Sequence, residues 1–340
     1  MLKIKTKFFY GKPIDMDRLK VNVNRPDDAK KYARLCKKII KAGKLENKKC
    51  YVCASDKYKK LLNIFGFDYV ECKKCSHVYV LKAPSTEAIK KFYSSDVHHQ
   101  MIKKLYANQK VKNYRVQTLS MPKVKFVEKF IKKRGSWLDL GCGTGEVIYA
   151  AKKLGWQVEG LEVDEIAYKF GEKNFGLKIH NCLLEDFPID EVRKFDVVSM
   201  FGVIEHLNEP SKILKEICKK TKNEVSLVIG TPNVASLSTL CQEYFPDNTN
   251  RHLLPFSHIQ LFSPKSLETV LRKAGFKIIG WWFFGQDFYE FLQNLLVYDK
   301  NLKDSQLFDQ LLNNFNQLQK VFDQKKFGDE MLVVCKKIKK

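Results

Sequence analysis

Two groups of residues have the types and the spacing that chemistry needs. Cys50, Cys53, Cys72 and Cys75 form the pattern C-x2-C-x18-C-x2-C. Two such knuckles can set four thiolates tetrahedrally around one Zn²⁺, and a site closed by four sulfurs is of the structural kind. His77, just past the second knuckle, is a spare ligand. Neither C-x-x-C falls at a strand-to-helix junction, so a redox dithiol is not expected. The second group runs from Asp139 through Gly141, Cys142, Gly143 and Thr144 to Gly145. Glycines admit a ligand to the backbone where a side chain would block it, and a loop entering a helix offers N–H groups. The spacing D-x-G-x-G-x-G is not the dinucleotide G-x-G-x-x-G, and it lacks the Gly-Lys-Ser/Thr of a P-loop. Glu162 ends the next apolar segment, about 20 residues on, where an acid can accept from both hydroxyls of a ribose. Asp164 is its rival two positions later.

These residues need a scaffold that brings them to one edge. Residues 137–140 read as a short buried strand, and Val147, Ile148, Ala150, Ala151 and Leu154 give the next segment a helical face that stops at Gly155. Further strands are expected at 156–162, in the apolar segment ending at 183–188, at 195–200, 225–231 and 276–284. Helices are expected at 123–133, from Pro210 through Cys218, at 264–275 and at 307–322, the last packed on its own domain. Strands alternating with helices imply an α/β protein with a parallel, doubly wound sheet, which binds ligands at the carboxyl ends of its strands. The glycine loop, Glu162, 184–186 and 203–206 then surround one crevice. His206 follows the 195–200 strand and is the candidate general base, since imidazole titrates near neutral pH; Glu205 is expected to be structural. Residues 235–260 lack a simple period, and a long irregular segment beside a site suggests a lid. Arg251, His252 and His258 on it could meet an anionic or hydroxylated ligand. Upstream, 27–41 has helical spacing, 78–81 reads as a strand, and Ser85 starts a helix.

At 340 residues the chain has room for two domains. The expected division is a basic extension (1–47), a cysteine module (48–83), a helical connector (84–121) and the α/β domain (122–340). Within the last lie a lid (235–262) and a helical insertion (299–326). Lys and Arg number 61 against 38 Asp and Glu, a formal charge of +23. The lysines are spread along the chain and not gathered into one arm, so a nucleic-acid partner is not expected. No apolar run approaches the ~18 residues of a membrane span, and the first residues lack a signal-peptide core. A cytoplasmic protein is therefore expected, with its ten cysteines as thiols and not disulfides.

The segments WLDLGCGTGE, GLEVD, LLEDFP and FDVVSMFGVIEHL, with a later TPN, resemble the ordered motifs of class I S-adenosylmethionine (SAM)-dependent methyltransferases. The likeness spans 122–340 and is strongest over 136–233. It implies a Rossmann-like methyltransferase sheet whose last strand, at 331–335, is antiparallel, with a small zinc-binding module before it. It implies that Asp139, Gly141, Cys142, Gly143 and Gly145 hold the methionine part of SAM, that Glu162 takes the ribose, and that Leu184, Glu185 and Val203 border the cofactor. The V-I-E-H form resembles the branch acting on small molecules, sugars and quinone precursors. A cysteine module, a tyrosine-bearing connector and a SAM domain in that order resemble bacterial methyltransferases of sugar and polysaccharide biosynthesis, in which the module helps cover the substrate pocket. That likeness adds Tyr93 and His258 to His206 as catalytic candidates, with His98 and His99 beside Tyr93. The implied activity is methylation of carbon or oxygen on a sugar or nucleotide-linked sugar, with SAM and Zn²⁺ as cofactors and a small molecule as partner. The alternative is an RNA methyltransferase using the zinc module and the basic surface, but the chain has no N-P-P-Y/F after the fourth strand and no Pro-Cys nucleophile. A SAM-binding regulator is disfavoured by the histidines of the pocket. Loss of the metal is expected to disorder the cysteine module and leave cofactor binding intact.

Overall fold

The computed structural model describes residues 9–19, 25–41, 43, 45–85, 87–88, 107–245 and 251–338. Tyr93, His98 and His99 lie outside the described residues, as do most of those expected to follow Ser85 in a helix; the Ser85 Oγ accepts from the Ala88 N–H at 3.2 Å.

In the N-terminal part a four-residue helical turn, Met16–Leu19, precedes helix α1 (Arg25–Lys41). Strands β1 (Leu45–Asn47), β2 (Tyr58–Ile64), β3 (Phe67–Cys72), β4 (Val78–Val80) and β5 (Lys82–Pro84) follow. The spacer between the two cysteine knuckles is a hairpin of β2 and β3, which pairs Tyr58 with Cys72 and turns at Phe65 and Gly66 with φ of 51° and 93°. An antiparallel return is what brings the two knuckles back together, and the sequence reading had no strand there.

A helical run from Lys112, with a π-helical stretch at Val116–Ser120, leads into α2 (Met121–Glu128). The main domain then runs β6 (Ser136–Leu140), α3 (Glu146–Lys153), β7 (Gln157–Leu161), α4 (Glu165–Phe175), β8 (Ile179–His180), β9 (Val197–Phe201), α5 (Pro210–Lys220) and β10 (Ser226–Pro232). It continues with β11 (Gln260–Leu261), α6 (Pro264–Lys273), β12 (Phe276–Phe284), α7 (Asp287–Tyr298), α8 (Gln306–Asn313), α9 (Phe315–Gln324) and β13 (Glu330–Lys337). Seven strands form one sheet in the order β12-β13-β10-β9-β6-β7-β8, parallel except for β13, which runs antiparallel to both neighbours. β6 lies between β7 and β9, so the chain reverses its direction of travel across the sheet there, and the crevice of such a sheet opens at that switch. Apolar side chains bury both faces, and Trp137 packs edge-on to Trp156 at 5.1 Å while donating its indole N–H to Ser199 Oγ at 2.8 Å.

Several boundaries differ from expectation. The third strand ends at His180, because residues 183–187 close a turn on the Leu183 carbonyl. The expected helix 307–322 is two helices broken at Asn314, and α7 before them had no counterpart in the sequence reading. Among the described residues no helix is long and apolar enough to cross a membrane.

The larger correction concerns the cysteine module. β11, from the segment read as a lid, pairs antiparallel with β4, giving a sheet β11-β4-β3-β2 that draws on both parts of the chain. Cys50, Val52, Cys72 and Cys75 share one apolar cluster with Leu138, Met200 and Phe262. The module is built into the main domain, so the expectation that it could disorder alone fails on packing grounds.

Candidate functional site

The β6–α3 turn carries Gly141, Gly143 and Gly145 at φ of 73°, 55° and 77°. A Cβ on Gly141 would fall 2.5 Å from Val203 Cγ2, and one on Gly145 2.3 Å from Leu177 Cδ1, whereas at Gly143 it would meet nothing within 4 Å. Gly143 thus turns bare backbone to open space, as a ligand cradle requires. Gly145 instead packs beneath the loop and is absent from the cavity lining. Glu162, just beyond β7, accepts from the Gly143 N–H at 2.7 Å and from the Asp164 N–H at 2.8 Å, one on each oxygen. A carboxylate has about four lone-pair sites, so each oxygen keeps capacity for a ribose hydroxyl. Burial raises the Glu162 pKa. Asp164, the rival, caps α4 by accepting from the Ala167 N–H at 2.8 Å. Asp139 is buried under the loop, accepts from Ser199 Oγ at 2.6 Å, and is pushed by burial up to about 7.

A single cavity of about 1080 Å³ joins this loop to the histidines. Asp139, Gly141, Cys142, Gly143, Glu162, Leu184, Glu185, Val203, His206 and His258 all line it. Two cations that the sequence reading passed over line it too. Arg115 pairs with Glu146 at 2.7 Å, and the Lys123 ammonium lies 5.4 Å from the centre of the Phe201 ring, its pKa drawn down by burial. In the sequence Lys123 is only a lysine between the apolar Pro122 and Val124, both of which the fold buries. The basic extension, given no chemistry above, contributes residues 10–14, held by Asn316: the Ile14 N–H donates to Asn316 Oδ1 at 2.8 Å and Asn316 Nδ2 donates to the Ile14 carbonyl at 3.1 Å.

His206 sits on a 3₁₀ turn, Ile204–His206, beyond β9. Its Nδ1 is 2.9 Å from the Ser257 carbonyl, which can only accept, so Nδ1 carries the proton and the neutral ring keeps its lone pair on Nε2. His258 lies edge-on at 4.8 Å between ring centres, with its own Nδ1 on the His252 carbonyl at 2.9 Å. Burial, then the neighbouring His206 and His252, holds His258 well below the usual imidazole range. Glu205 is buried, accepts from Thr231 Oγ1 at 3.0 Å, and burial pushes it up to about 8. Glu205, His206 and His258 each offer an atom within 4.8 Å of the others. A divalent cation could bridge these atoms only if Glu205 gave up its proton. Arg251 and His252 line the cavity as expected, but Arg251 is also an ion-pair partner. Its guanidinium forks onto Asp329 at 2.8 and 3.0 Å, so its charge is neutralised inside the protein.

The four cysteines meet as the spacing predicts. Their sulfurs all lie within 4.8 Å of one another, with Cys50–Cys75 and Cys53–Cys72 at 3.5 Å. Disulfides would need about 2.05 Å, while Zn–S bonds of about 2.3 Å give tetrahedral edges near 3.8 Å. The knuckles repeat one backbone design. The residues after Cys53 and Cys75, Ala54 and Ser76, both have φ of 57°, and their N–H groups donate to the Cys50 and Cys72 carbonyls at 2.7 and 2.9 Å. The sulfur–sulfur contact lowers the Cys75 pKa and raises that of Cys50, so the two thiols share the burden of ionisation unequally. His77 is not among the converging ligands; its Nε2 bonds Gln260.

Residues 113–280 match the family model of a methyltransferase domain, and with the seven-stranded sheet this segment is a class I SAM-dependent methyltransferase domain. The chain is 31% identical over 108 residues to a ribosomal protein L11 methyltransferase of Thermotoga petrophila, covering 31% of this chain and 40% of that one. It is 32% identical over 100 residues to a ubiquinone biosynthesis O-methyltransferase of Pelagibacter ubique, covering 28% and 41%. The chain thus spans about two fifths of the length of these relatives. Among solved structures, it aligns with a phosphoethanolamine N-methyltransferase of Haemonchus contortus in complex with SAM, at 18% identity and a TM-score of 0.45, over 76% of this chain and 63% of that one.

Proposed function

We propose that the chain methylates a small hydroxylated acceptor, a sugar or nucleotide-linked sugar, at oxygen or carbon. The observation that carries this reading is the single cavity in which the Gly143–Glu162 cradle and the His206–His258 pair face the same space. SAM supplies a methyl group on a sulfonium, open to in-line displacement by the acceptor. On this reading Asp139 balances the ammonium of the amino-acid end, Arg115 and Lys123 its carboxylate, and Glu162 accepts from the ribose hydroxyls. His206 takes the acceptor proton on Nε2 while Ser257 steadies Nδ1. Arg251 is paired with Asp329, and the Gln286 side chain also lines the cavity, which suits a hydroxylated acceptor. The four cysteines would hold a structural Zn²⁺. Ten cysteines, all thiols, fit the reducing cytoplasm as the place of reaction.

The test pairs labelled SAM with nucleotide-sugar pools and with an RNA control over a range of salt. A sugar product with shallow salt dependence is expected. Label in RNA alone, with binding that falls steeply as salt rises, would overturn the reading.

A further inference from the structure

We infer that Gln260, held in place by His77, is the positioning residue that sets the histidine turn of the active site. The inference rests on the reading of His206 as the proton acceptor. Gln260 is fully buried on β11, where its backbone pairs with Tyr79 of β4. Its amide nitrogen donates to the carbonyls of Ile204, at 3.2 Å, and Leu207, and its amide oxygen accepts from His77 Nε2 at 3.0 Å. The Ile204 and Leu207 carbonyls bracket the 3₁₀ turn that presents His206: the Ile204 carbonyl accepts the turn's own Leu207 N–H at 3.4 Å and takes the Gln260 amide as a second donor, while the Leu207 carbonyl lies just past the turn's end. A primary amide is the side chain that serves all three contacts, with two N–H donors in one direction and one oxygen in the other. Glutamate would face two carbonyls with no donor. Three residues upstream, the Ser257 carbonyl holds the His206 ring itself. One short stretch of chain therefore fixes both the backbone and the imidazole of the turn.

His77 carries that hold back to the cysteine module. It is fully buried against the Phe262 ring, at 4.7 Å between ring centres, and its carbonyl accepts from the Cys72 N–H at 2.8 Å within the second knuckle. A buried amide and a buried imidazole are costly to keep unless they are hydrogen-bonded. Here their bonds run in one line from the knuckle to the turn. The module is thus placed to set the geometry of the acceptor side and not only to stabilise the fold.

The experiment uses the full chain labelled with ¹⁵N-histidine, with the His206 ring assigned through His206→Gln, and S-adenosylhomocysteine as the ligand probe. In the wild type His206 should show one tautomer, with the proton on Nδ1. In Gln260→Leu and in His77→Phe its two nitrogens should move toward averaged shifts, while the dissociation constant for S-adenosylhomocysteine stays within threefold of wild type. His77→Gln keeps a donor and should restore the wild-type pattern. If Gln260→Leu does not fold, Gln260→Glu has the same size and gives the same readout. Unchanged His206 shifts in the Gln260 variants would overturn the inference. So would a loss of cofactor affinity beyond threefold alongside the shift, or a failure of His77→Gln to restore the pattern. Because the readout needs no acceptor, it stands apart from the proposed activity. Methyl transfer surviving in His206→Gln would remove that activity's base and leave the positioning result intact.

Discussion

Replacing Glu162 by Gln probes the cofactor cradle at nearly constant volume. In the wild type each carboxylate oxygen accepts one backbone N–H, from Gly143 or from Asp164. The amide of Gln can satisfy only one of them, and its NH₂ must face the other N–H. An unsatisfied buried donor costs about 1–3 kcal/mol of stability. If the remaining lone pairs serve the ribose hydroxyls, the variant also loses charge-assisted bonds there. A loss of about 1.5–3 kcal/mol on that account corresponds to roughly 10- to 150-fold weaker binding. Calorimetry with S-adenosylhomocysteine measures the second loss and thermal unfolding of the unliganded protein the first. Asp164→Ala is the matched control. It removes the cap on the Ala167 N–H, which costs about 1 kcal/mol of stability, and it should leave affinity nearly unchanged. An affinity within twofold of wild type in Glu162→Gln, or a larger loss in Asp164→Ala, would refute the assignment of the ribose to Glu162.

Asp139 should make cofactor binding depend on pH. With its carboxyl raised to about 7 in the unliganded protein, a bound ammonium must draw off a proton below that pH, so affinity should rise through about 7 and then level; Asp139→Asn should flatten the curve in a calorimetric titration. Stability of the unliganded protein runs the other way. The folded state keeps a proton that the unfolded chain releases near 3.8, so this contribution is complete below 3.8 and is lost as pH rises to about 7. Purified without added metal, the protein should carry one Zn²⁺ per chain by elemental analysis. Cys72→Ser should release it and lower the melting temperature of the whole chain, by about 4 °C for ~3 kcal/mol lost. Metal retained in that variant would show the ligand set to be wrong. His206→Gln should lower kcat by about 10²–10⁴ at an unchanged dissociation constant for SAM; a raised KM for the acceptor with kcat preserved would make His206 a substrate contact instead of a base.

The parts of this protein that the sequence determined by itself are those set by neighbours in the chain. A glycine in the left-handed region, an acid at a strand end, a helical apolar face and a C-x-x-C turn are local matters of backbone freedom and periodicity, so the cradle at Gly141–Gly145, Glu162 and both cysteine knuckles were legible there. Tertiary structure decided what depends on strand order and register. Ser257 reaches His206 across 51 residues and His77 reaches Gln260 across 183, and neither pairing leaves any mark on local composition. The same holds for the charges of the cavity: that Arg251 is paired with Asp329, 78 residues away, is invisible in the sequence. The cysteine module looked separable because its ligands are close in sequence. What binds it to the methyltransferase sheet is a two-residue strand, Gln260–Leu261, too short to register as a period and formed only because β4 offers it an edge.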